Sequence, residues 1–170
     1  METTQPASIK STATDFGLYY AILGIAVIIG LYILETEKNL ILSIINVAGT
    51  VGILAYSVIA YKKTNGGVIT IGQALKVGLA AAAIGGVLIA IYSYIHYTYV
   101  QPEFIEAIRE KALTEMYTNS GDMPAETEEK AVSMINIFTS AGFISTVSIM
   151  GSLFFGLIIS LITGLIAKSE

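Results

Sequence analysis

Charged residues are spaced so unevenly along this chain that the intervals between them predict its elements. Uncharged runs cover residues 16–34, 39–61, 77–102 and 131–167, which are 19, 23, 26 and 37 residues long. Ile, Leu, Val, Ala and Gly dominate them, most densely over 21–34, 40–61, 77–92 and 143–167. About 20 apolar residues in helical conformation cross a hydrocarbon core of ~30 Å, so each run is long enough for one passage. The pattern predicts an all-α integral membrane protein. Four transmembrane helices, over about 16–34, 40–61, 74–99 and 143–167, form an antiparallel bundle in a single membrane domain spanning residues 1–170. The fourth run is too long for one straight crossing, since 37 residues at ~1.5 Å each would reach about 55 Å. Ser133, Asn136, Thr139, Ser140 and Gly142 dilute its first third. A separate amphipathic helix is therefore expected over 125–140, with Ala131, Met134, Ile135 and Phe138 on one face. Gly142 is the expected bend before the crossing.

Local signals place the helix ends. Asp15 is the expected cap of the first helix and Asn39 of the second. Only residues 35–39 separate these two helices, which calls for a tight antiparallel hairpin. Residues 62–67, Lys-Lys-Thr-Asn-Gly-Gly, read as a turn. Thr70 and Gln73 then fit a capping box, so the third helix starts near residue 70 with Lys76 reaching the interface. Residues 102–140 read as an external, acidic helical hairpin between helices three and four. Phe104, Ile105, Ile108, Ala112 and Met116 lie along one side of its first helix. Residues 119–122 end that helix, Asp122 caps the next, and Pro124 sits in its first turn.

Composition changes the picture by exclusion. Only 13% of residues are charged and 54% are hydrophobic, with no Cys and a single His. A soluble domain carries about 25% charged residues, too many more for this chain to be one. Without Cys there is no disulfide, thiolate site or cysteine nucleophile, and one His excludes a multi-His metal site. A net charge of −4 argues against nucleic acid, whose phosphates need clustered Lys and Arg. The carboxylates lack the alternation and central Gly of a calcium loop. No Ser/His/Asp set or carboxylate pair is arranged for catalysis. No catalytic residue, metal or cofactor is therefore expected, and the chain reads as a non-enzyme. No charge falls in the centre of any crossing, which counts against ion-coupled transport.

Orientation follows from the charges between the runs. Four crossings put both termini on one side, with Lys10, Lys62, Lys63, Lys76 and Lys168 in short segments. The opposite side holds four bases against ten acids, mostly within 101–140. The positive-inside rule then places both termini in the cytoplasm. The first helix is expected to stay as an anchor, because acidic residues 35 and 37 follow it where small cleavage-site residues would stand.

Three sets of residues stand out inside the crossings. Ala74, Gly78, Ala82, Gly86 and Ala90 recur every fourth position in helix three. Ser148, Ser152, Gly156, Ser160 and Gly164 do so in helix four. Each set is a helix face nearly free of side chains, and close backbone approach through small residues drives helix association in lipid. The stripes are expected either to pack on each other or to serve self-association or a partner. Asn46 and Thr50, four apart in helix two, are expected either to line a pathway or to bond another helix. His96 near the outer end of helix three, with Tyr92 and Tyr99 on the same face, reads as a wet imidazole in an interfacial aromatic belt, or as a pH-responsive or headgroup site. Gly17-Leu18-x-x-Ala21-x-x-Gly24 matches Gly78-Leu79-x-x-Ala82-x-x-Gly85 as a faint internal repeat.

Several segments together resemble a known family. They are Tyr61-Lys62-Lys63-x-Asn65-Gly66, Ile69-Thr70-Ile71-Gly72-Gln73-Ala74-Leu75-Lys76-Val77-Gly78, Ile91-Tyr92-x-Tyr94-Ile95-x-Tyr97-Thr98-Tyr99, Pro102-Glu103-Phe104 and Gly156-Leu157-Ile158-Ile159-Ser160-Leu161-Ile162. The chain is similar over nearly its whole length to a small four-helix inner-membrane family of Bacteroidota, a domain of unknown function of the DUF 4199 type. The resemblance implies a bacterial inner-membrane protein and supplies no activity, ligand or catalytic residue. From the residues, the expected function is a non-enzymatic inner-membrane accessory or scaffold protein. Its contacts would be membrane lipid and either a protein partner at the acidic external segment or a second copy of itself. The alternative is a small channel or transporter formed by oligomerisation, and lipid or quinone binding between helices is a third option.

Overall fold

The computed structural model describes residues 8–36, 38–120 and 124–169. Six α-helices form within them: α1 (Ile9–Ile33), α2 (Leu40–Thr64), α3 (Ile71–Ile95), α4 (Pro102–Ser120), α5 (Ala125–Phe138) and α6 (Ala141–Ala167). A π-helical turn, His96–Val100, extends α3. No strand occurs among the described residues. α1, α2, α3 with its extension, and α6 are long and apolar enough to cross a membrane.

Most helix ends follow the local chemistry. The Asn39 side chain accepts from the Ile41 and Leu42 amides at 3.0 and 3.1 Å. Thr70 Oγ1 accepts from the Gln73 amide at 3.2 Å, and Gln73 Oε1 accepts from the Thr70 amide at 2.9 Å, a complete capping box. α1 differs from expectation. Ser8 caps it by accepting from the Ser11 amide at 3.3 Å, so Asp15 lies exposed inside the helix. Nothing in residues 9–14 breaks a helix, and the hydroxyl of Thr14 donates back to the Lys10 carbonyl. α2 runs through Lys62 and Lys63, and the turn begins only at Asn65, where Gly66 and Gly67 take φ of +69° and +80°. Glycine accepts those left-handed angles at little cost.

The break between α5 and α6 falls at Thr139–Ser140, and Gly142 is inside α6, not at a bend. Ser140 decides this, because its Oγ accepts from the Phe143 amide at 3.2 Å and caps the new helix. Pro124 occupies the cap position of α5, one residue before its first turn. Asp122, the expected cap there, lies outside the described residues.

The helices divide into two compact units, Ala90–Val147 and the remainder up to Ile89 and from Ser148. In the larger unit α3 is the most buried span, with half of its most apolar window inside the structure against 22–28% for the other three. Two faces of α3 account for this. On one, a Cβ built on Gly86 would stand 2.7 Å from Ser152 Cβ, and one on Gly164 2.7 Å from Ala74 Cβ. Gly78 meets Ser160, and Gly156 meets Ala82, closer still. On the other face, a Cβ on Gly17 would lie 2.8 Å from Ile84 Cβ, and one on Gly85 would lie 2.7 Å from the Gly17 carbonyl. A Cβ on Gly24 would meet Ile89 at 2.5 Å. The repeated Gly-Leu-x-x-Ala-x-x-Gly segments thus share one use: each bares helix backbone for a neighbour. α2 joins through Leu54, packed with Ala13, Ala81, Ala82 and Ile159, and through Val58 and Tyr61 against Ile69 and Val77. Lys62 donates to the Ala167 carbonyl at 2.8 Å, and the Ser169 amide donates to the Ile69 carbonyl at 3.1 Å, which ties the end of α6 to the α2–α3 connection.

Large apolar side chains outside this core stand exposed, among them Leu40 at 77% and Ile166 at 81%. A water-soluble surface rarely exposes so many large apolar side chains.

The smaller unit is built from other materials. Tyr92 stacks on His96 at 5.6 Å, and Tyr97 stacks on Phe104 at 4.7 Å. Tyr117 of α4 donates to Glu128 of α5 at 2.9 Å, and Lys130 pairs with Glu126 at 2.6 Å on the exposed face of α5.

Candidate functional site

The larger unit contains a partly open cavity of about 310 Å³ bounded by α1, α2, α3 and α6. Most of its wall is apolar: Val27 and Ile28 of α1, Val47 and Val51 of α2, Ile89 of α3 and Phe155 of α6. Five polar side chains interrupt it, those of Tyr20, Asn46, Thr50, Ser148 and Ser152. Glycine shapes the rest, since Gly24 admits Ile89 against α1 and Gly151 faces open space, with no atom within 4 Å of a built Cβ.

The polar groups fall into two kinds. Tyr20, Ser148 and Ser152 are partnered. The Ser152 hydroxyl donates to the Ser148 carbonyl at 2.8 Å, and its oxygen lies 3.0 Å from the Tyr20 hydroxyl. A serine carries one proton, so Tyr20 is the donor in that contact. Both residues are buried, and the bond links α1 to α6 at the cavity wall. Gly85 makes room for this tyrosine, because a Cβ there would touch its ring at 2.5 Å. Asn46 and Thr50 are different. Both line the cavity, and neither side chain makes a hydrogen bond among the described residues. Thr50 retains only 8% of its accessible surface, so its hydroxyl has little but the cavity to face.

The profile of the family described as "Protein of unknown function (DUF4199)" matches residues 15–169. The chain belongs to that family. No curated protein and no solved structure matches it. The match takes in α1 from Asp15 onward and the whole of α2, α3, α4, α5 and α6 of this DUF4199 chain.

Chemically the cavity is neutral. Its lining carries no Asp, Glu, Lys, Arg or His. It offers hydroxyl and amide groups that both donate and accept, set in an apolar wall. Among the described residues no three His, Asp or Glu gather into a metal site.

The other residues singled out from the sequence are placed as follows. Gly78, Ala82, Gly86, Gly156, Ser160 and Gly164 lie where α3 and α6 touch, and Ser152 belongs both to that contact and to the cavity wall. Ala90 is buried, and Ser148 lines the cavity. His96 is 1% exposed, so its imidazole is not wet. Nε2 lies 3.2 Å from Gln101 Oε1, and Nδ1 lies 3.5 Å from the Tyr92 hydroxyl. In the neutral ring Nε2 donates to the amide oxygen and Nδ1 accepts from the tyrosine. Tyr99 does not join them, being 73% exposed. The π turn explains this, because the Gln101 amide reaches back to the His96 carbonyl at 2.8 Å and the wider turn rotates residue 99 off the 92–96 line.

Tyr20 is the site residue that reading the sequence missed. Its signal was available: a tyrosine one helical turn from Gly24 within an uncharged run, on the face shared by Gly17 and Gly24. Outside the spans, the hydrogen bond to Glu128 holds the Tyr117 phenol above its ordinary 10.0.

Proposed function

We propose that this chain is a non-enzymatic accessory or scaffold protein of the bacterial inner membrane. In this reading α1, α2, α3 with its π turn, and α6 cross the bilayer as an antiparallel bundle. Both termini lie in the cytoplasm, and the acidic α4–α5 hairpin meets a membrane or envelope partner outside. The small-residue contact between α3 and α6 carries the reading. Lipid gives helices no hydrophobic reason to associate, and faces without side chains supply close packing instead. The two stripes run in opposite numerical order where they meet, as antiparallel helices require. Purification of the full chain in mild detergent after cross-linking, with partners identified by mass spectrometry, tests it. Cross-links concentrated on α4–α5 to one defined envelope protein support the reading, and a chain that carbonate releases from vesicles overturns it. An exported-only reporter fused after Glu170 that is active would overturn the orientation.

A second reading, an oligomeric small channel or transporter, draws support from Asn46 and Thr50, whose polar groups are unused inside an apolar wall. Solute flux through liposomes that Asn46→Leu abolishes would favour it over the scaffold.

A further inference from the structure

The cavity holds an imbalance that the scaffold reading does not use. A polar side chain withdrawn from water without a partner costs about 1–3 kcal/mol by mutational measure. Thr50 is more than nine-tenths buried, lines the cavity and has no hydrogen-bond partner among the described residues; Asn46 one turn away also lines the cavity without a partner but is only half-buried. Tyr20 and Ser152 on the opposing helices satisfy each other. The free hydrogen-bonding capacity therefore sits on the α2 side, facing a cavity of about 310 Å³ whose other walls are mostly aliphatic and aromatic, with Tyr20, Ser148 and Ser152 as their partnered polar groups. That volume is about twice the ~150 Å³ cavity that accommodates benzene in an engineered core. It lies at the lower end of the ~300–1,000 Å³ range of small-molecule sites.

We propose that the cavity binds the polar end of a neutral amphiphile, a hydroxyl or carbonyl that bonds Asn46 and Thr50 while its apolar body lies against Val27, Val47, Ile89 and Phe155. Absence of any charged lining residue sets the class: an ionised headgroup would be stranded there without a counter-charge. Glycine at 151 keeps the space open, since a side chain at that position would enter it without touching backbone. The proposal rests on the reading that the apolar helices lie in a bilayer. An acyl lipid with a neutral head and a quinone with an apolar tail share this chemistry.

The test uses the full chain in phosphatidylcholine vesicles, irradiated with a diazirine-bearing long-chain primary alcohol and mapped by peptide mass spectrometry. Label is expected at Val27, Ile28 and Ile89, the wall residues least open to the surroundings, and an excess of unlabelled monoacylglycerol or short-tailed benzoquinone removes it. The competitor acting at lower concentration identifies the source. Thr50→Val keeps the shape of the side chain and is expected to weaken cavity labelling about tenfold, the worth of one hydrogen bond. Gly151→Leu fills the space and abolishes it. Label at Leu40 and Ile44, which stand exposed on α2, is unchanged in both variants. Cavity label equal in all three proteins, or insensitive to both competitors, overturns the proposal and leaves the membrane spans standing. Absence of label at Leu40 and Ile44 as well as in the cavity overturns both.

Discussion

The contact between α3 and α6 and the pair α4 and α5 are two ways of holding helices together, and they share almost no chemistry. Where α3 meets α6, the deciding residues are Gly78, Ala82, Gly86, Ser152, Gly156 and Ser160, and what matters is how little they carry beyond the backbone. The serine hydroxyls there turn back to their own helix, Ser160 to the Gly156 carbonyl and Ser152 to the Ser148 carbonyl. Between α4 and α5 the tie is made by side chains that reach, Tyr117 to Glu128, on surfaces open to water. Steric contact of this kind is all-or-none, because a methyl group has nowhere to go. A solvated polar contact is graded, because water replaces each lost partner. Damage to the first should therefore be abrupt, and damage to the second slight.

The sharpest way to break that contrast is Gly156→Ile. Its Cβ would collide with Ala82, and the expected cost exceeds about 3 kcal/mol, with loss of the folded monomer in detergent-phase unfolding and size exclusion. The same change at Gly52, whose Cβ would meet nothing within 4 Å, should move stability by under ~0.5 kcal/mol. If the two variants unfold alike, the steric account is wrong. Tyr20→Phe comes next. It removes the α1–α6 hydrogen bond of 3.0 Å but leaves Ser152 bonded to Ser148, so about 0.6–1.7 kcal/mol should be lost, measurable by denaturant titration in micelles.

On the hydrated side the expected effects are smaller. The Tyr117 phenol must keep its proton to donate to Glu128, and its pKa lies above 10.0 for that reason. The contact is therefore present at and below pH 10.0 and is lost as pH rises through the elevated value. The difference between ultraviolet titrations of the parent and Tyr117→Phe should show one phenol ionising later than a free tyrosine. An ordinary titration for that phenol would remove the α4–α5 tie. Last, Lys130→Ala deletes a pair whose side chains are 72% and 81% exposed. Thermal unfolding should change by no more than about 0.5 kcal/mol.

Much of the architecture is legible without coordinates, for identifiable reasons. Charge is so costly in hydrocarbon that the uncharged runs outline the helices, and capping chemistry is local enough that Asn39, Thr70 and Gln73 can be read directly. The errors arose where two signals competed. Asp15 is a good cap, but Ser8 stands before a stretch with equal right to be helical. Gly142 looks like a bend, but Ser140 two residues earlier supplies a hydrogen bond that starts a helix. His96 looks interfacial by position, yet a π turn that no local pattern announced folds Gln101 back onto it.

The cavity was only half visible. Asn46 and Thr50 stand out as polar residues in an apolar helix, and their spacing puts them on one face. Tyr20 and Ser152 belong to helices more than a hundred positions apart, and nothing in either segment names the other.

Taken alone, the order of residues determined how many apolar helices there are, where most of them end, and which faces lack side chains, because these depend on transfer energies and contacts within a few residues. Only the tertiary structure decided that α3 presents one bare face to α6 and another to α1, and that four helices leave a space between them with Thr50 unpaired inside it. Such a space is a property of how bodies fit, and fit is set by surfaces that meet from distant parts of the chain.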